Sequence, residues 1–276
     1  YMKKDAGVQS SAYIKFSAQG SNITVDNLEY NLENIDVRGR GTITEHKINA
    51  GIQADAPDLA RVANLFLLPE DMTAGSVALD LSVKDLEFPV KKIPFMTGNL
   101  RVNNGFIRVP GLPNPFRDVN LVADFGGESA TVQLNGLTCG GSRLNKGTLT
   151  LNNLEKPSIS ANFDMARFNP ADFFAAGGEK FKLPELKRDG IFYRSSGELA
   201  FRSNEFVVRN VTARNVFAKV LLTNGMIKIP TVTMGLFEGE AAMNAALDLT
   251  GVSPKLLLSG AMSRLQSDLV MEALGS

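Results

Sequence analysis

The chain has 276 residues, 44% of them hydrophobic, enough for a sizeable core and one or two domains. Lys+Arg and Asp+Glu both number 29, so the formal net charge is zero, which argues against a nucleic-acid partner needing surplus basic charge on one face. A single cysteine (Cys139) and a single histidine (His46) exclude an internal disulfide, a Cys-rich metal cage and a multi-histidine zinc site.

In chain order, the first signal is Gly41-Thr42-Ile43-Thr44, a strand that ends in the charged turn Thr44-Glu45-His46-Lys47. His46 therefore reads as a solvated loop residue. Next comes the strand around Ile52, followed by Leu59, Val62, Ala63 and Phe66 at helical spacing after Pro57-Asp58. Asp55 and Asp58 flank Pro57 and read as helix caps rather than a calcium site. Val77, Leu79, Leu81 and Val83 then alternate with Ala78, Asp80 and Ser82, and Val119, Leu121, Ala123 and Phe125 with Asn120, Val122 and Asp124. Prolines 89, 94, 110, 113 and 115 predict connections or edges between these strands.

The dipeptides Asn104-Gly105, Gly126-Gly127, Asn135-Gly136, Gly140-Gly141 and Asn224-Gly225 predict turns. Leu149 and Leu151, then Ile159, Ala161, Phe163 and Met165, continue the alternation up to Asn169-Pro170, an N-cap followed by Pro at N1. A basic cluster (Lys180, Lys182, Lys187, Arg188) sits in a Gly- and Pro-marked connection; it reads as an exposed loop, or as a contact with anionic lipid headgroups. Leu199 and Phe201, then Met243, Ala245, Leu247 and Leu249, resume the strand pattern, and Met262, Leu265 and Leu269 predict a closing amphipathic helix. One face of each strand is apolar and the other polar, the mark of an antiparallel sheet with one dry face.

Three strand-to-helix junctions can be superposed in sequence, at Ile52, Ile159 and Leu257 to Met262; Ile52 and Ile159 lie 107 positions apart, Met165 and Met262 97. Gly147-Thr148-Leu149-Thr150-Leu151 matches Ala245-Ala246-Leu247-Asp248-Leu249 at a shift of 98, and Gly98 and Gly197 lead similar strands 99 apart. The expectation is a mainly β chain built from repeats of about 100 residues, each ending in a short helix. Residues 1–74 form a partial first repeat with its helix near 58–68, residues 75–176 the second, and residues 177–276 the third with a C-terminal helix.

The order Phe237-Glu238-Gly239-Glu240-Ala241, Ala245 to Thr250, Pro254-Lys255-Leu256-Leu257-Leu258 and Met262 to Leu269, echoed at Gly140-Gly141-Ser142, Gly147 to Leu151 and Pro157 to Ala161, resembles the AsmA-like family of bacterial envelope proteins, which includes the TamB-type proteins. The resemblance is strongest from about residue 75 onward. It implies a long twisted antiparallel sheet curled into a trough with an apolar lining, located in the periplasm of a Gram-negative bacterium. It also implies anchoring to the inner membrane through a segment absent from this chain, and work in phospholipid transport or outer-membrane assembly. Partners on this reading are phospholipid or another lipid and other envelope proteins.

Candidates for the lining are Leu79, Leu81, Leu121, Phe125, Leu149, Leu151, Ile159, Phe163, Leu199, Phe201, Leu247 and Leu249, each of which taken singly reads first as ordinary core. No cofactor, metal site or catalytic residue is expected. There is no Gly-x-Ser-x-Gly elbow or phosphate loop, and Glu238 and Glu240 are placed on one hydrated strand face rather than in a glycosidase pair. Cys139 reads as a strand-end residue. No run reaches the roughly 18 apolar residues of a membrane-spanning helix. The chain starts at Tyr1, which suggests a piece of a longer protein with any signal or anchor upstream. A membrane barrel is disfavoured by the absence of Trp and the presence of only four Tyr. Two alternatives stay open beside the lipid module: a structural or protein-binding β-repeat with a filled core, and a hydrolase on envelope polymers, for which no convergent carboxylate pocket is legible.

Overall fold

A computed structural model describes residues 9–32, 34–60, 73–87, 94–109, 111–153, 156–173, 191–251 and 255–273. It is mainly β, as the alternation predicts. Fifteen strands follow one another in sequence order across one sheet: β1 (Ser10–Gln19), β2 (Asn22–Leu32), β3 (Ile35–Ile43), β4 (Lys47–Ala56), β5 (Thr73–Glu87), β6 (Phe95–Ile107), β7 (Phe116–Gly127), β8 (Ser129–Cys139), β9 (Ser142–Asn152), β10 (Ser158–Phe168), β11 (Ser196–Val208), β12 (Val211–Thr223), β13 (Met226–Leu236), β14 (Gly239–Asp248) and β15 (Lys255–Ser263). Helical structure is limited, among the described residues, to the start of a turn at Leu59, a 3-10 turn at Pro170–Asp172, α1 (Ile191–Arg194) and α2 (Ser267–Ala273).

Hairpins account for most of the order. Asn224 and Gly225 have φ of 47° and 84°, the pair of left-handed residues that joins β12 to β13 with the twist the strands require. Phe237 and Glu238 (φ 51° and 59°) do the same between β13 and β14 without a glycine. Glu238 thus belongs to the turn and only Glu240 to the strand, so the two carboxylates do not share a strand face. Asn104-Gly105 and Asn135-Gly136, predicted as turns, lie inside β6 and β8. At Asn104 (φ 49°) the register slips between Val102 and Gly105, making a bulge. A Cβ on Gly105 would come within 2.9 Å of Val102 Cγ1 and 3.1 Å of Val119 Cβ, so the residue there must be small. Pro230, which has no N–H to give the ladder, sits at another slip, between Ile229 and Val232 of β13.

The neighbours within β1–β7 and within β9–β15 pair antiparallel with one exception. β10 and β11 are parallel, with Ser158 opposite Ser196 and Phe168 opposite Phe206. A parallel pair needs a long connection, and residues 169–195 supply it. By contrast, β4 and β5, whose junction aligns with this one in sequence, are antiparallel. The first predicted helix begins at Leu59, with Asp58 Oδ1 accepting from the Ala60 N–H at 3.0 Å, and the rest of it lies outside the described residues. The tail differs from its prediction. Met262 lies in β15, paired with Ala241, and the helix starts only at Ser267.

The chain divides into two compact units: residues 1–110 with 115–137, and residues 111–114 with 138–276. In the first unit, Leu32, Ile35 and Ala56 are buried at the strand ends with Tyr30 and Val37 packed against them, and Val102, Val119 and Ala123 are buried along β6 and β7. In the second, Cys139, Leu144, Ala161, Met165, Ala213, Val216, Ala241 and Leu249 are buried.

Candidate functional site

Strand registers convert the alternation into two chemically opposite faces. In the first unit, Tyr30, Val37, Ala54, Leu79, Leu100 and Ala123 are successive cross-strand partners, as are Gly39, Ile52, Leu81, Gly98 and Phe125. Leu121 shares this face opposite Val102. One residue along each strand, the row reads Arg38, Gln53, Asp80, Asn99 and Asp124, with Gln53 Nε2 donating to Asp80 Oδ2 at 3.1 Å. A one-residue slip would exchange the rows wholesale, so burial of the apolar one sets the register.

The second unit repeats the arrangement. Leu151, Ile159, Gly197, Leu222, Ile227, Leu247 and Leu256 form one apolar row. Gly147, Phe163, Phe201 and Ala218 form another, and Leu149, Ala161 and Leu199 a third. The opposite face carries Thr150, Ser160, Glu198 and Lys228, and Lys219 Nζ reaches Glu198 Oε1 at 2.9 Å. This ion pair is well exposed and adds little stability.

Eleven of the twelve predicted lining residues are half-buried on these apolar faces. Leu249 differs. It lies past the end of β14, is 8% exposed, donates its N–H to Gly225 O and accepts from the Tyr193 hydroxyl, so it is packed core. Half-burial is what a single layer gives: each side chain is flanked by its sheet neighbours, and outside the aromatic corner at Phe201 no second layer of described residues covers it. Over β2–β5 the sheet holds a concavity of about 880 Å3, lined by Arg38, Arg40, Gln53, Asp80 and Lys84 of the polar rows as well as by Gly39, Ile52 and Leu81.

At one corner of the second unit, four half-buried aromatic rings pack together. There Phe168 stacks on Phe173 at 5.4 Å and meets Phe201 edge-on at 5.4 Å and Phe206 at 5.5 Å. The 3-10 turn is held by a polar network. Asn169 Oδ1 accepts from the Ala171 N–H, as the predicted N-cap should. Ser142 Oγ donates to Asp172 Oδ2 at 2.7 Å and accepts from the Asn169 N–H at 2.8 Å. Asn114 Nδ2 donates to Asp172 O at 3.2 Å. Gly140 turns the chain from β8 to β9 with φ 56°, and the Asp172 carboxylate occupies the place a Cβ would take. Burial and the neighbouring Asp172 charge raise the Cys139 thiol above its ordinary range, so the cysteine is a neutral packing group. Sequence reading identified the Asn169 cap but not Asp172, Ser142 or Asn114, which the chain brings together from 30 to 58 positions away.

Other chemistry is sparse. Among the described residues no group of three or more His, Cys, Asp or Glu could hold a metal, and no helix is long and apolar enough to cross a membrane. His46 lies exposed between β3 and β4. Lys180, Lys182, Lys187 and Arg188 lie outside the described residues. Comparisons with protein-family models, with curated proteins and with solved structures find no match.

Proposed function

We propose that the chain is a lipid-handling module of the bacterial envelope, similar in plan to AsmA-like proteins, and that its uncovered apolar sheet face shelters acyl chains. The observation that carries this reading is the continuous apolar row in each unit, most of whose large side chains stay only half-buried while the reverse face is mainly polar. Soluble proteins seldom leave a contiguous apolar area of that kind in water without a partner for it. On this reading each unit's sheet curls about its apolar face into a trough. An acyl chain laid there gains about 0.8 kcal/mol for each methylene removed from water. The headgroup stays at the solvent margin, so no catalytic residue or cofactor enters. Placement in the periplasm, attachment to the inner membrane and work in lipid transport or outer-membrane assembly belong to the same proposal, as do partnerships with phospholipid and with envelope proteins.

The test is native mass spectrometry of the purified chain with solvent extraction of bound lipid. Stoichiometric phospholipid is expected, lost in Leu121→Asp and Phe163→Asp, which place a carboxylate on the apolar face of each unit. A lipid-free mass, with no uptake from phospholipid vesicles, would falsify the reading and favour a protein-binding β-repeat.

A further inference from the structure

The concavity over β2–β5 opens on the polar face of the first unit. On three neighbouring strands its lining begins and ends with a residue of that face: Arg38 and Thr42 on β3, Asn49 and Gln53 on β4, Asp80 and Lys84 on β5. A smaller hollow of about 340 Å3 continues it along the same face, sharing Arg38, Gln53 and Asp80.

Neither backbone geometry nor packing accounts for two features of this hollow. Gly51 lies in mid-strand on its floor, opposite Arg40 and Ser82, and its φ is not left-handed. A Cβ there would meet Arg40 Cγ at 3.9 Å and nothing nearer, whereas one on Gly41 would come within 2.5 Å of Asn49 O. A strand glycine weakens the strand and marks a close approach of backbone or ligand, and no backbone approaches Gly51. The second feature is charge. Arg38, Arg40 and Lys84 have no hydrogen-bond or ion-pair partner among the described residues, although Lys47, Lys219 and Arg264 each reach a carboxylate. The carboxylates in the lining are Asp26 and Asp80, and Asp80 already accepts from Gln53; Glu29, opposite Arg38, accepts from Asn27.

We infer that this hollow binds a phosphorylated sugar. Arg38 and Arg40 stand two residues apart on one side of β3, about 7 Å from each other, and a guanidinium fork takes two phosphate oxygens through parallel N–H bonds. Lys84 adds a third positive charge from β5. The volume of about 880 Å3 far exceeds a phosphate, so the phosphate comes with a carrier. The uncharged polar-face lining is amide and hydroxyl (Thr42, Asn49, Gln53 and Ser82), which suits a hydroxylated carrier rather than an apolar one. Asn49 accepts from the Asp85 N–H through Oδ1, which leaves its amide N–H groups to donate to a sugar hydroxyl. Gly51 lets the ring lie against the strand. The site is on the reverse of the apolar rows, so it stands or falls separately from the acyl-chain reading. A free phosphosugar and one carried as a lipid headgroup present the same groups to it.

NMR titration of the whole chain with glucose 6-phosphate tests this. Saturable shifts are expected at the Gly51 and Ser82 amides and the Arg40 side-chain N–H, with glucose silent and inorganic phosphate about tenfold weaker or more. Arg40→Gln and Lys84→Gln should each weaken binding about tenfold. Gly51→Leu should abolish it without lowering the urea midpoint, since the new Cβ has room. Lys228→Gln, which takes the same charge from the polar face of the second unit, should leave it unchanged. Binding to phosphatidylcholine vesicles carrying phosphatidylinositol 4-phosphate, lost in Arg40→Gln and absent with plain vesicles, would support the site with a lipid-borne source. The proposal fails if neither probe binds, if the shifts fall elsewhere, or if they survive Arg40→Gln. It fails equally if inorganic phosphate binds as well as the sugar phosphate, because the hollow then holds an adventitious ion only.

Discussion

At the end of β10, Met165 is 7% exposed and the rings of Phe168, Phe173, Phe201 and Phe206 pack against one another; along β15, Leu256 and Leu258 occupy the same apolar parity and stand two-thirds exposed. Both segments have the same alternation and lie in the same unit. The difference lies in the stretch of chain just beyond each strand. After β10 a turn folds back against β11, whereas after β15 the chain runs toward the β13–β14 hairpin and covers nothing on the way. A strand's pattern states which side is apolar, and a separate piece of chain decides whether that side becomes core or surface.

Truncations at the two places should diverge most. Met165→Ala removes buried volume from the covered corner and should cost about 2–4 kcal/mol in urea unfolding, against less than about 1 kcal/mol for Leu258→Ala. Near-equal losses would mean the corner is no better packed than the edge.

Asp172→Ala probes the polar side of the same corner. It leaves the buried Ser142 hydroxyl with only the longer bond to Asn169 O at 3.4 Å and should cost about 1–3 kcal/mol, with a urea midpoint to match. Asp172→Asn, which keeps an acceptor in place, should recover part of the loss.

Cys139 sharpens the comparison through pH. Its folded thiol titrates above the ordinary range because of burial first and the Asp172 charge second. A group whose folded pKa is raised contributes stability below its unfolded value that disappears as pH rises toward the folded one. Stability should therefore decline above pH of about 8.5, the ordinary thiol value, and Cys139→Ala should flatten that decline. Alkylation of the native protein should be slow at pH 8 and quicken in Asp172→Ala. A thiol that reacts at the rate of a free peptide would show the corner to be open.

The smallest effect belongs to Asp248. It accepts from the Thr250 hydroxyl at 2.6 Å and the Thr250 N–H at 2.9 Å, and these bonds hold its carboxyl below the usual range. Its folded pKa is depressed, so the turn's contribution is present above the unfolded value and lost as pH falls through the folded one. An NMR titration should place its midpoint below that of other exposed aspartates, and Thr250→Val should move it back up.

Much of this was legible in the residues, and the limits have physical causes. The rows through Leu79 and Leu151 follow from period-2 alternation, which is local: a strand needs no distant partner to present apolar groups on one side. The Asn169-Pro170 cap and the Asn224-Gly225 turn are local too, since φ preferences and side-chain capping act within a few residues. Asn104-Gly105 misled for the converse reason. The same left-handed preference makes a hairpin turn or a bulge, and the pairing of neighbouring strands chooses between them. The end of β15 misled similarly, because Met262, Leu265 and Leu269 fit a helical period while pairing with Ala241 draws Met262 into the strand.

The sequence alone determined the class of structure, the polarity of the two faces and the positions of most strands, because those depend on residue spacing and backbone preference. Tertiary structure decided the parallel pairing of β10 with β11, the meeting of Asn114, Ser142 and Asp172, and the contrast between a covered corner and a bare edge. Each of those is a contact between segments distant along the chain, settled by competition for partners and for burial that no local pattern encodes.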